Sequence, residues 1–150
     1  MIEIKPICRF KLRALAAGAK EFYASSKFLR SFEIDRFVEF WRPIIASELG
    51  VIFIAEDDGE IIGAIAGMAV PEPYSGDLVV SEFFWFVRPG HRGSAGLRLY
   101  EALEYWARQK GAKTMRMVHL MDSMPEKLAR IYKRLGYEQV ETLYSKDLAA

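Results

Sequence analysis

Apolar and polar residues alternate at the start of the chain, where Ile2, Ile4 and Pro6 are interleaved with Glu3 and Lys5, and the period then lengthens. This pattern predicts a short strand followed by a helix over Lys11 to Ala24 that tolerates Gly18. Phe32, Phe37, Phe40, Trp41 and Ile44 recur at helical spacing, so a second helix with an aromatic face is expected from Ser31 to Leu49, where Gly50 stops it. Val51 to Ala55 is β-branched and aromatic, Asp57-Asp58-Gly59 is a turn signal, and Ile61 to Val70 resumes in strand composition; together they predict a hairpin. Pro71 to Asp77 reads as a loop and Leu78 to Val87 as a central strand.

Helical spacing returns with Leu99, Tyr100, Leu103 and Trp106, which places a helix over Leu97 to Lys110 with Gly111 as its stop. Thr114 to Leu120 reads as a strand. Pro125 suits a first helical turn, Leu128, Ile131, Tyr132 and Leu135 continue it, and Gly136 ends it. Gln139 to Lys146 is expected to close the chain as a last strand. The alternation of strands and helices in the second half implies an α/β (α+β) chain, a mixed sheet covered by helices.

Composition narrows the classes of function. A length of 150 residues suits one domain over residues 1–150, and 51% hydrophobic with 27% charged residues is an ordinary globular balance. Twenty-one basic against twenty acidic residues leave a net charge of +1, which argues against nucleic acid as a partner. A lone Cys8 makes no internal disulfide and is expected as a buried apolar residue; His91 and His119 are too few for a usual zinc site, so no metal is expected. No signal peptide or membrane span is read at the charged N-terminus, and a cytoplasmic setting without membrane partners is the expectation.

The chemistry concentrates in the turn from Arg88 to Arg98, built of Pro89, Gly90, His91, Arg92, Gly93, Ser94, Ala95, Gly96 and Leu97. Small residues let backbone N–H groups approach a ligand, and the helix they open aims its positive dipole end the same way, which suits a phosphate. No G-x-G-x-x-G occurs and no Gly-Lys-Ser or Gly-Lys-Thr follows, so dinucleotide and P-loop readings fail. Arg92 stands where a G-x-S-x-G elbow would need glycine, so Ser94 is a small backbone donor and not a nucleophile.

This order of elements, with the turn and the late segment Ile131-Tyr132-Lys133-Arg134-Leu135-Gly136-Tyr137, resembles the GNAT superfamily of N-acetyltransferases over nearly the full length. His91 to Gly96 fits that family's six-position pyrophosphate loop, in the register that also places Leu99, Tyr100, Leu103 and Glu104 on the following helix. His91 stands where Arg or Gln is usual, Ser94 replaces a Gly or Ala, and Pro125 falls where many members carry Asn. The resemblance implies a mixed central sheet of about six to seven strands flanked by about four helices.

It also implies transfer of the acetyl group of acetyl-CoA to a primary amine by direct attack in a ternary complex. Backbone N–H groups from Arg92 to Leu97 would hold the pyrophosphate, with Arg92 or Arg98 adding a side-chain contact. The pantetheine arm would run along Trp85, Phe86 and Val87 as an added strand, where an N–H also polarises the thioester. Tyr132 is the candidate acid for the leaving thiolate and Glu82 the candidate base; packing of Tyr132 and an ion-paired or solvated Glu82 are the structural alternatives. Glu72, Tyr74 and Asp77 would favour a cationic acceptor, or merely form a solvated loop. Phe28, Phe32, Phe37 and Trp41 would wall the acceptor channel, or form core. The acceptor itself is left open; a homodimer is in keeping with the family, and the rival from another class is a catalytically silent CoA-binding or protein-interaction module.

Overall fold

A computed structural model describes residues 1–149 of the chain. They divide into two compact units, Met1–Val118 and His119–Ala150. The first is built on a five-stranded sheet in the order β1 (Glu3–Pro6), β2 (Gly50–Asp57), β3 (Glu60–Pro71), β4 (Leu78–Val87) and β5 (Thr114–Arg116). Pairing is antiparallel from β1 to β4 and parallel between β4 and β5, which makes the sheet mixed. Helices α1 (Leu12–Tyr23) and α2 (Ile34–Ala46) follow β1, and α3 (Ser94–Gln109) crosses from β4 to β5.

Local chemistry accounts for several of these boundaries. Asp57 pairs with Glu60 across Asp58 and Gly59, both at positive φ (49° and 85°), the two-residue hairpin turn that Asp-Gly favours. The two faces of the sheet carry separate cores. Leu12, Leu15, Ala16 and Ala19 of α1 and Val38 and Trp41 of α2 pack on Ile52, Ile54, Phe84 and Phe86. Ala95, Leu99, Leu103 and Ala107 of α3 cover Ile62, Ile65, Val80 and Val87 on the other side.

Two irregularities shape β4. Ala66 pairs with Phe84 while Gly67 pairs with Glu82, so Phe83 is an extra residue, a β-bulge, in the middle of the strand. Gly67 is required there by space: a Cβ would lie 2.7 Å from Leu103 Cδ1. The β4–β5 ladder covers only Val79 to Ser81 against Thr114 to Arg116, so the two strands part company just before the bulge.

The second unit holds α4 (Pro125–Arg134), entered through Met124 in a left-handed conformation (φ 48°) and left through Gly136 at φ 88°. Three expectations are corrected. The strand expected over Gln139 to Lys146 does not form, which leaves five strands among the described residues instead of six to seven. Its apolar residues Val140, Leu143 and Tyr144 are all exposed, so no core face is there to hold a strand. The strand expected over Thr114 to Leu120 stops at Arg116, where its pairing with β4 ends at Ser81. Cys8 is exposed, not buried, because the chain turns out of β1 into a single 3-10 turn at Arg9–Lys11. Among the described residues, no helix is long and apolar enough to cross a membrane.

Candidate active site

Beyond the bulge, the hydrogen-bonding direction of β4 follows from one contact. Arg88 N–H donates to Ile62 O at 2.8 Å, so alternation assigns the main chains of Phe86 and Phe84 to β3 and turns those of Trp85 and Val87 to the opposite edge. That is the edge from which β5 has already departed. The main chain of Val87 and the C=O of Trp85 therefore face, in strand geometry, the side where an extended arm could pair. Phe86, grouped with them in the sequence, commits its main chain to Ala64 and its ring to the core under α1.

Glu82 sits where β4 and β5 diverge. Its side chain is buried, and Oε2 accepts a hydrogen bond from the Val118 backbone N–H at 3.1 Å. Burial disfavours the carboxylate and pushes its pKa up to about 7, with the Val118 hydrogen bond opposing part of the shift. A carboxylate balanced near neutral pH can accept a proton from an ammonium and release it again.

The turn after β4 leads to the same place. Pro89 to His91 form a single 3-10 turn, closed by His91 N–H to Arg88 O at 2.9 Å. Gly93 then takes φ 127° and ψ −121°, a conformation for glycine, and α3 starts at Ser94 with no side-chain cap and no acidic residue in its first turn. The first N–H groups of a helix have no partner within it, so those of Ser94, Ala95 and Gly96 point out of the helix end toward an anion. A Cβ on Gly96 would meet Val87 Cγ2 at 3.7 Å and the Trp85 ring at 3.9 Å, which puts the helix end against the open part of β4. The Trp85 ring is also 6.1 Å from Tyr100 of α3. Trp85, Val87, Gly93, Ser94, Ala95 and Gly96 thus form one continuous surface that suits a pantetheine arm ending in a pyrophosphate.

Other expected residues take different places. Arg98 donates to Ile2 O at 3.0 Å on the β1 side. His91 keeps Nδ1 buried with no hydrogen-bond partner among the described residues. The Glu72 carboxylate accepts from the backbone N–H groups of Tyr74 and Ser75 and from the Ser75 hydroxyl, which lowers its pKa and ties it to its own loop. Phe32, Phe37 and Trp41 pack with the core while Phe28 and Phe40 are exposed. Tyr132 belongs to the second unit, its ring parallel to His119 at 6.3 Å and 5.7 Å from Tyr137.

Two groups near Glu82 escaped sequence reasoning. One is the Val118 main chain, which carries no side-chain signal. The other is Tyr23 at the end of α1, whose ring lies 6.2 Å from Phe86 and whose hydroxyl oxygen receives the Trp85 backbone N–H. Burial and the charge of Glu82 push its phenol above the ordinary pKa.

Solved structures share the whole architecture. An aminoglycoside acetyltransferase, AAC(6')-Iy, in complex with a bisubstrate analogue of CoA and acetylneamine superimposes with a TM-score of 0.78 at 18% identity, covering 98% of this chain and 97% of that one. A predicted acetyltransferase from Clostridium acetobutylicum with acetyl-CoA gives 0.79 at 15% identity, with 99% and 97% covered. The ribosomal-protein-alanine N-acetyltransferase from Brucella melitensis biovar Abortus 2308 gives 0.76 at 17% identity, with 99% of each chain covered. The fold is thus that of acetyltransferases that handle CoA. No curated protein matches the sequence. The sequence matches the acetyltransferase (GNAT) family over residues 17–137, and the chain belongs to that family.

Proposed function

We propose that this protein transfers the acetyl group of acetyl-CoA to a primary amine by direct attack in a ternary complex. The observation that carries the reading is the buried Glu82, with its pKa near neutrality, at the point where β4 opens toward the end of α3. The arm of acetyl-CoA runs along Trp85 and Val87, pairing with the Val87 main chain, and its pyrophosphate lies on the turn from His91 to Leu97. The amine nitrogen attacks the thioester carbon and gives up a proton to Glu82, directly or through water. The C–S bond then breaks and the sulfur leaves as a thiolate.

Tyr132 is proposed as the donor that protonates this thiolate, on the strength of its place in the Ile131 to Tyr137 segment. The family match from 17 to 137 spans both compact units, which supports a single functional domain. Two of the three similar structures are named for an aminoglycoside and a ribosomal-protein alanine as acceptors, and the acceptor class carried over is the primary amine. A homodimer is in keeping with the family, and sedimentation velocity would detect it.

The test is calorimetry with acetyl-CoA, followed by thiol release against aminoglycosides, polyamines and peptides with free N-termini. Binding and release of CoA with at least one amine is expected. Tight binding without release from any amine would overturn the enzyme in favour of a silent CoA-binding module.

A further inference from the structure

Tyr23 has no place in the motifs discussed so far, yet it reaches the reacting edge from the opposite face of the sheet. It ends α1, with its ring edge-on to Phe22 at 5.0 Å and tilted against Phe86 at 6.2 Å, both fixed in the core packing of that face. The Trp85 backbone N–H is directed at its hydroxyl oxygen, and Glu82 is near enough for its charge to oppose ionisation of the phenol. Trp85 is one of the two residues whose main chain faces the open side of β4. Tyr23 and Glu82 therefore flank the same stretch of edge, one as a neutral O–H and the other as a carboxylate. With its oxygen engaged by Trp85, the phenol keeps its own proton to donate.

We propose that Tyr23 is a catalytic residue whose O–H donates to the carbonyl oxygen of the thioester lying along β4, in place of a direct contact from Trp85 N–H. The inference rests on the acetyltransferase reading. As the amine nitrogen bonds to the carbonyl carbon, the π electron pair moves onto the oxygen and is stabilised by the Tyr23 hydrogen bond. The Tyr23 proton stays on the phenol throughout. The amine proton passes to Glu82, the electron pair returns to re-form the carbonyl, and the C–S bond breaks with its pair on sulfur. The Trp85 N–H polarises the phenol in turn, since hydrogen bonds in a chain strengthen one another. A fixed donor aimed at developing charge in a water-poor site is among the larger contributors to catalysis.

The experiment uses acetyl-CoA labelled with carbon-13 at the thioester carbonyl, bound to the full-length wild type and to Tyr23→Phe, and reads the carbonyl stretch by isotope-edited infrared spectroscopy. The wild type is expected to lower the stretching frequency, and Tyr23→Phe to lose most of that shift while binding CoA within about twofold of wild type. With an amine that turns over, kcat should fall ~10²–10³-fold with little change in KM for acetyl-CoA. The same carbonyl band in both proteins, or a loss of kcat matched by a rise in KM, would overturn the role. Should Tyr23→Phe not fold, 3-fluorotyrosine at position 23 keeps the packing with a more acidic phenol, and the shift should deepen; an unchanged band overturns the assignment. A wild type that fails to bind acetyl-CoA would overturn the acetyltransferase reading and this role with it, whereas bound acetyl-CoA with an unshifted carbonyl would overturn Tyr23 alone.

Discussion

The Val118 backbone N–H donates to Glu82 Oε2 at 3.1 Å, thirty-six residues along the chain. The segment that β4 loses as a ladder partner after Ser81 thus returns as a hydrogen-bond donor to the buried carboxylate. That contact holds one carboxylate oxygen in place.

If Glu82 is the base, kcat/KM should rise with pH and level off above about 7, the value to which burial raises its pKa. Glu82→Gln keeps the shape, removes that limb of the profile and should cost ~10²-fold or more in kcat. A retained limb with unchanged kcat would place the base elsewhere.

The same carboxyl makes stability depend on pH in an unusual direction. Its pKa is about 7 in the folded chain against an ordinary value of 4.5, so between these values the folded state binds more protons than the unfolded. Stability should therefore fall as pH rises through that window and level off above it. The contribution is on the order of a few kcal/mol at ~1.4 kcal/mol per pKa unit. Denaturant melts of wild type and Glu82→Gln between pH 4 and 8 would measure it, with the variant gaining relative stability toward pH 8.

Gly96 has room for a Cβ at ordinary contact distance from Val87 and Trp85. Gly96→Glu should accordingly fold, yet weaken CoA binding through bulk and like charge at a helix end that favours anions. Calorimetry reads the affinity and circular dichroism the fold; unchanged affinity would move the pyrophosphate away from this turn.

Tyr132→Phe retains the ring that lies against His119 and removes only the phenol proton. Turnover should drop by ~10²-fold with CoA affinity nearly intact if that proton goes to the thiolate. Wild-type turnover in the variant would leave Tyr132 a packing residue.

What was legible in the sequence was local. Asp58-Gly59 encodes its turn by backbone conformation alone, and the β4 limits at Leu78 and Val87 were readable because turn formers flank an unbroken apolar run. The bulge was not: Phe83, Phe84, Trp85 and Phe86 are all aromatic, so no change of alternation betrays the extra residue. Tyr23 was equally silent, since its meaning depends on Trp85 and Glu82 some sixty residues away. Gln139 to Lys146 misled because its residues favour strands individually, whereas a strand also needs a partner to pair with.

Phe83 contributes more by occupying a position than by anything its ring does. Because β4 carries one residue more than β3 opposite it, the strand bends between Glu82, which Val118 reaches, and the stretch where the main chains of Trp85 and Val87 face the open edge. Deleting Phe83 would restore an even ladder with Glu82 still opposite Gly67 and Phe84 still opposite Ala66, but would remove the local bend and added twist that a bulge gives a strand. A difference in length, with every proposed functional group still present, would thus change the angle between the carboxylate and the open edge.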